Sequence, residues 1–141
     1  MLLTVDLTSG LPIYLQVRDR IVDAIADGTL REGSRLPTTR DLAADLGVNF
    51  HTINKAYDLL RQEGLLRLTR QVGAVVQRDP DSGPPAPGFA DGWDERLHTM
   101  LAEAVAQGMP RQEIVSRCQT ILAALAESRS GHQQKRGTSR G

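Results

Sequence analysis

Apolar residues return at helical spacing early in the chain. Ile13, Val17, Ile21 and Ile25 repeat every four residues with Tyr14 and Val22 beside them, while Arg18, Asp19, Arg20 and Asp23 fill the opposite face. The pattern predicts an amphipathic helix that opens at Pro12, whose fixed φ and missing N–H cost nothing in a first turn, and stops near Asp27 before Gly28. Thr38 with Asp41 three residues on is a capping-box arrangement. Leu42, Ala43 and Leu46 give the short second helix an apolar side, and Gly47 suits the left-handed cap that ends it. Only Gly47 and Val48 precede Asn49, the expected N-cap of a third helix reaching about Glu63. Two helices joined this tightly are a helix-turn-helix.

The third helix is predicted to bury Ile53, Ala56, Tyr57 and Leu60, and to turn Phe50, His51, Asn54, Lys55, Asp58, Arg61 and Gln62 outward. The period then changes. Leu65, Leu66 and Leu68 run into Arg70-Gln71-Val72-Gly73, and Ala74, Val75 and Val76 resume a β-prone stretch, so a two-stranded hairpin, a wing, follows. Residues 80–90 hold four of the seven prolines and no apolar period, which reads as an extended linker. Asp91 is placed to cap a fourth helix with the stripe Leu97, Met100, Leu101, Ala104 and Val105. Gly108 closes it, and Pro110 opens a fifth helix to about Ser128. The expected architecture is mainly α with a small β-hairpin wing: a winged helix-turn-helix over 11–79, a linker over 80–90, a two-helix segment over 91–128, and a disordered basic tail over 129–141.

Two short helices bury too little surface to stand alone. A symmetric homodimer would cover both stripes at once, with Leu97, Leu101, Ala104, Ile114, Cys118, Ile121, Leu122 and Leu125 as its dimerisation face. The competing arrangement folds the helical pair back onto the winged domain of its own chain. Cys118, the single cysteine, reads as a small core residue of the fifth helix.

Charge sharpens this division. The net charge is zero, yet between Arg31 and Arg78 eight basic residues face five acidic ones, a net +3. Between Pro80 and Ser128 three basic residues face seven acidic ones, a net −4. No stretch approaches the roughly 18 apolar residues of a membrane span, and MLLTVDLTSG has neither a basic head nor a long apolar run, so a cytoplasmic protein without a membrane partner is expected. His51, His98 and His132 are scattered and make neither metal-ligand spacing nor a nucleophile constellation with Cys118. Neither an enzyme nor a cofactor or metal site is expected.

The segments PIYLQ, GTLREGSRLP, TTRDLA and GVNFHTINKAYDLLRQEGLL, in this order from Leu11 to Gln77, resemble the GntR winged-helix domain. The N-x-x-T-x-x-K-A-Y wording of the third helix and the tail EAVAQGMPRQEI resemble the YtrA subfamily, whose short C-terminal part dimerises. The aminotransferase-like branch of the family shares the domain but requires a large cofactor-binding domain. The resemblance implies DNA contacts from Arg40, from Asn49, His51, Thr52, Asn54 and Lys55, and from Arg70 at the wing tip. Phe50 replaces the arginine or proline of many relatives and Gln71 a common wing-tip glycine; Phe50 is then placed against a thymine methyl. Asn54 or His51 would reach base edges in the major groove, and Lys55, Arg40 and Arg70 would bind phosphate or the minor groove. The implied function is a homodimeric repressor on a palindromic operator, controlling its own gene and a neighbouring transporter operon, with a small-molecule effector to which no residue is assigned. The alternative is a winged-helix adaptor that binds proteins and no specific DNA.

Overall fold

In the computed structural model, residues 3–138 are described, with backbone only for 134–138. Five helices and one hairpin follow in order: α1 (Ile13–Ala26), α2 (Thr39–Leu46), α3 (Phe50–Gln62), β1 (Leu66–Thr69), β2 (Gly73–Val76), α4 (Phe89–Ala106) and α5 (Arg111–Thr138). The chain divides into two units, residues 3–82 with 128–138 and residues 83–127.

In the first unit the caps fall where short polar residues stand before apolar periods. The Thr38 hydroxyl accepts the Asp41 N–H at 3.1 Å, and the Asn49 side chain accepts the His51 N–H at 2.9 Å. Gly47 ends α2 at φ 68°, a conformation that costs a side-chain-bearing residue strain. The core is the meeting of three helical stripes: Val17, Ile21, Ala24 and Ile25 of α1, Leu42 and Ala43 of α2, and Ile53, Ala56, Tyr57 and Leu60 of α3. Each large apolar side chain taken fully out of water here contributes about 1.5–3 kcal/mol. Burial pushes the Tyr57 hydroxyl above the usual phenol range. It donates to the Pro37 carbonyl at 2.8 Å, tying α3 to the segment that leads into α2.

The hairpin has the register Leu66 with Val76, Arg67 with Val75, Leu68 with Ala74 and Thr69 with Gly73. Its second strand is paired on both edges, because Gly33 and Leu36 donate to Val76 and Ala74, and Val76 donates back to Ser34, each at 2.9 Å. Residues 33–36 thus supply a third strand-like edge, with an antiparallel bridge between Arg35 and Val75. This double pairing accounts for the unbroken apolar run Ala74-Val75-Val76, all buried.

The packed unit begins before the expected boundary at 11. Leu3 and Val5 pack against the core, and buried Gln16 holds this leading segment. Its amide accepts the Asp6 N–H at 2.7 Å and donates to the Asp6 and Leu11 carbonyls, each at 2.9 Å.

Over 129–138, where a tail was expected, the backbone continues α5 as helix; residues 139–141 lie outside the described residues. The stabilising contacts are tertiary. Arg129 donates to the Asp81 carboxylate at 2.7 Å, and the His132 ring stands 3.3 Å from the Thr29 hydroxyl. Gly28, at φ 89°, lets the helix approach, since a Cβ there would stand 3.3 Å from that of His132. Gly131 inside the helix costs about 1 kcal/mol relative to alanine, which such contacts can offset. Asp79 joins the Glu32 loop to the end of the wing domain. Burial raises its carboxyl, but hydrogen bonds from the Glu32 and Asp81 N–H groups and Ser82 outweigh this and hold it below the usual range.

In the second unit α4 starts at Phe89, two residues before the expected cap at Asp91. Gly88, at φ 87°, occupies the cap position, and Asp91 lies in the first turn, where its charge favours the helix's positive end. No residue of this unit is buried within the chain. Leu97, Leu101, Ala104, Ile114 and Leu125 are half-buried, Ile121 and Leu122 are exposed, and Cys118, expected in a core, is exposed as well.

Gln16→Leu should lower unfolding free energy by about 1–3 kcal/mol, because three backbone groups lose their partner. Chemical denaturation measures the loss, and faster amide exchange at Asp6 locates it.

Candidate nucleic-acid interface

The outward face of α3 owes its position to what lies behind it. Ile53, Ala56, Tyr57 and Leu60 are buried on one side, so Asn49, His51, Asn54 and Lys55 are exposed on the other. Arg18 of α1 adds a clamp at the far end of the helix, where its guanidinium donates through Nε to Glu63 at 3.0 Å and also pairs through Nη2. Glu63 in turn raises the Arg18 pKa above the ordinary guanidinium value.

The first turns of α2 and α3 meet. The Arg40 guanidinium carbon lies 4.5 Å from the centre of the Phe50 ring, and that ring lies 4.1 Å from the His51 ring at a 33° tilt. Phe50, expected to point outward, is half-buried and packs against the core. Its size makes full exposure costly. Lys55 Nζ sits 4.0 Å from the centre of the Tyr14 ring of α1, which fixes one cation at the edge of the face. Thr52 is half-buried and Asn54 exposed on the same helix.

Farther along α3 the charges are internally engaged. Asp58 accepts from Arg61 at 2.7 and 3.0 Å and from Gln62 at 2.8 Å, and Arg61 foremost, then Gln62, lowers its carboxyl below the ordinary value. Arg70 and Gln71 stand exposed on the hairpin turn, a separate element, whose shape is set by Thr69 accepting from Val72 at 3.1 Å and donating to the Gly73 carbonyl at 3.2 Å. The expected site residues therefore fall into an α2–α3 cluster and a wing-tip pair.

Sequence reasoning missed Arg35. Through the register it shares a cross-strand row with Val75 and Arg67, so two exposed arginines flank buried Val75 on one face of the wing. No local pattern signals this, because the pairing of residues 33–36 with β2 spans some forty positions. Among the described residues no group of three His, Cys, Asp or Glu side chains could hold a metal, and no helix is long and apolar enough to cross a membrane.

Comparisons with known proteins bear on the same residues. The family model described as bacterial regulatory proteins, gntR family, matches residues 13–76. YtrA from Sulfolobus acidocaldarius, a GntR-family transcription factor of known structure, is 35% identical with a TM-score of 0.59, covering 75% of this chain and 99% of that one. The chain belongs to the GntR family. The HTH-type transcriptional regulator Rv1152 of Mycobacterium tuberculosis is 38% identical over 79 residues, 55% of this chain and 65% of that protein. The HTH-type transcriptional repressor YtrA of Bacillus subtilis is 30% identical over 78 residues, 55% of this chain and 60% of its own length. The chain thus spans under two thirds of both curated relatives. What it shares with them is the winged helix-turn-helix domain of a family described as bacterial regulatory proteins, with the YtrA proteins among its relatives.

Asn49→Ala removes the side-chain cap of α3 and should cost about 1 kcal/mol of stability, whereas Asn49→Asp keeps an acceptor and should cost less. Urea midpoints at unchanged m-value check both.

Proposed function

We propose that this GntR-family regulator is a cytoplasmic homodimeric repressor that binds a palindromic operator and controls its own gene together with a neighbouring operon, of transporter type by the resemblance. One observation carries the DNA-reading part: the exposed edge of α3 with Asn49, His51, Asn54 and Lys55, flanked by Arg40 and held by a buried back. An edge of amides, imidazole and cations matches the donor and acceptor code of the major groove. Thr52 and Phe50 line its base, and Arg70 and Gln71 extend the contact to the backbone or minor groove beside it. The direction of regulation rests on likeness to the B. subtilis protein, a repressor by name.

The dimer is supported by the second unit. Met100, Val105, Ile121 and Leu122 are 61–66% exposed, an apolar surface that two helices leave open in one chain. A second copy would cover it, with Leu97, Leu101, Ala104, Ile114, Cys118 and Leu125 in the same interface, and the twofold axis would make the operator a palindrome. For an effector, the cavity lined by Ile25, Arg31, Asp79, Arg129 and His132 has about 20 Å³ of free space, which fits one water rather than a metabolite. Buried Arg31 Nη1, which has no hydrogen-bond partner among the described residues, is the group such a water would satisfy.

Nuclease protection by the full chain on the fragment upstream of its own gene tests the reading. A symmetric footprint is expected, weakening with salt by a log–log slope of about −0.9 per phosphate neutralised, and Arg70→Ala, which removes one contact from each protomer of the dimer, should make that slope shallower by about 2. Binding indifferent to salt and to competing duplex would favour the protein-adaptor reading instead.

Ile121→Glu combined with Leu122→Glu should yield a monomer by sedimentation at concentrations where the parent chain is dimeric. The monomer should keep half-site binding and lose the gain in affinity from the palindrome.

A further inference from the structure

Arg40 is exposed, and its guanidinium carbon lies over the ring of Phe50, 4.5 Å from the ring centre. No carboxylate or carbonyl among the described residues accepts from it, although Asp41 is its neighbour in sequence. A long cation on a surface helix with no anchor samples many rotamers, and ordering it on binding weakens the contact it makes. Phe50 removes much of that freedom. Its ring is seated in turn, packed against the core and with the His51 ring centre 4.1 Å from its own, so it is a fixed platform rather than a second mobile group. A guanidinium that uses its face on a ring keeps the N–H fork, which lies in its own plane, for another partner. That fork matches the paired acceptors O6 and N7 of guanine, the commonest specific arginine contact in the major groove.

We infer that Phe50 is a positioning residue that pre-organises Arg40 to read a guanine, so that the choice of base is set jointly by the first turns of α2 and α3. The inference rests on the DNA-reading function proposed above. It assigns Phe50 a role different from direct apolar contact with a thymine methyl: the ring acts through Arg40 and needs no base of its own.

The test uses the full chain and the duplex that the parent protein enriches most strongly from a random-sequence pool. Phe50→Leu keeps an apolar side chain against the core and removes the ring, and should lower affinity for that duplex about three- to ten-fold, in the range of a lost cation–π contact plus the rotamer freedom regained. Affinity for random duplex and the salt slope should stay unchanged. Arg40→Ala should lose more, and Phe50→Leu added to Arg40→Ala should cause almost no further loss, because the ring then has nothing to hold. Phe50→Tyr, which keeps the platform, should stay within about two-fold of the parent. Selection with Phe50→Leu should relax preference at one guanine position per half-site.

Additive losses in the double variant overturn the inference, as does an equal loss with Phe50→Tyr. A shift of preference at an adenine–thymine position would assign Phe50 to a thymine methyl and overturn it too. Thermal unfolding of each variant separates misfolding from these outcomes, and Phe50→Tyr with Arg40→Ala decides the matter if Phe50→Leu does not fold. Failure of the parent protein to enrich any duplex would reject the DNA-reading function itself, a result distinct from all of these.

Discussion

The burial of one side of α3 against α1 and α2 is the constraint on which the rest depends. Ile53, Ala56 and Leu60 give up water for the stripe of Val17, Ile21 and Ile25, and Tyr57 adds a buried hydroxyl bond to Pro37. Because a helix has a fixed angular period, burying these positions fixes which side chains face out. The exposure of His51, Asn54 and Lys55 is therefore a consequence of packing, not an independent property of those residues. Rotating the helix by one position would bury a charge and expose a leucine, two costs of several kcal/mol together.

Around this core the chain uses polar groups as fasteners rather than as chemistry. Gln16 holds the leading segment, Glu63 receives Arg18 at the end of α3, and Asp79 accepts the Glu32 N–H. Each is a long-range tie made by one side chain to backbone or to a single opposite charge. Their common effect is to fix the ends of α1, α3 and the wing, so that the α2–α3 cluster and the hairpin turn are carried on one packed body. A surface that must match the spacing of a duplex groove gains from this rigidity, since ordering then occurs on folding rather than on binding.

The second unit follows the opposite logic. Its helices have a regular apolar period yet none of its residues is buried, and the charge balance over residues 80–128 is acidic where that over 31–78 is basic. Cys118 shares this exposure with Ile121 and Leu122 of the same helix.

The sequence alone was sufficient for the helices, their caps and the hairpin, because these are set by interactions within a few residues: Thr38 with Asp41, Asn49 with His51, Gly47 at a positive φ, and apolar periods of 3.6 and 2. It was also sufficient for the polar edge of α3, which follows from the period of the buried side. Tertiary structure decided what depends on contacts between distant positions. The pairing of residues 33–36 with β2 placed Arg35 on the wing, and the ties of Arg129 and His132 turned an expected tail into helix. The stacking of Arg40 on Phe50 gave an apparently outward ring a seat between core and cation. The physical reason is that a local pattern reports which face of an element avoids water, whereas which partner covers that face is settled only when the chain closes on itself.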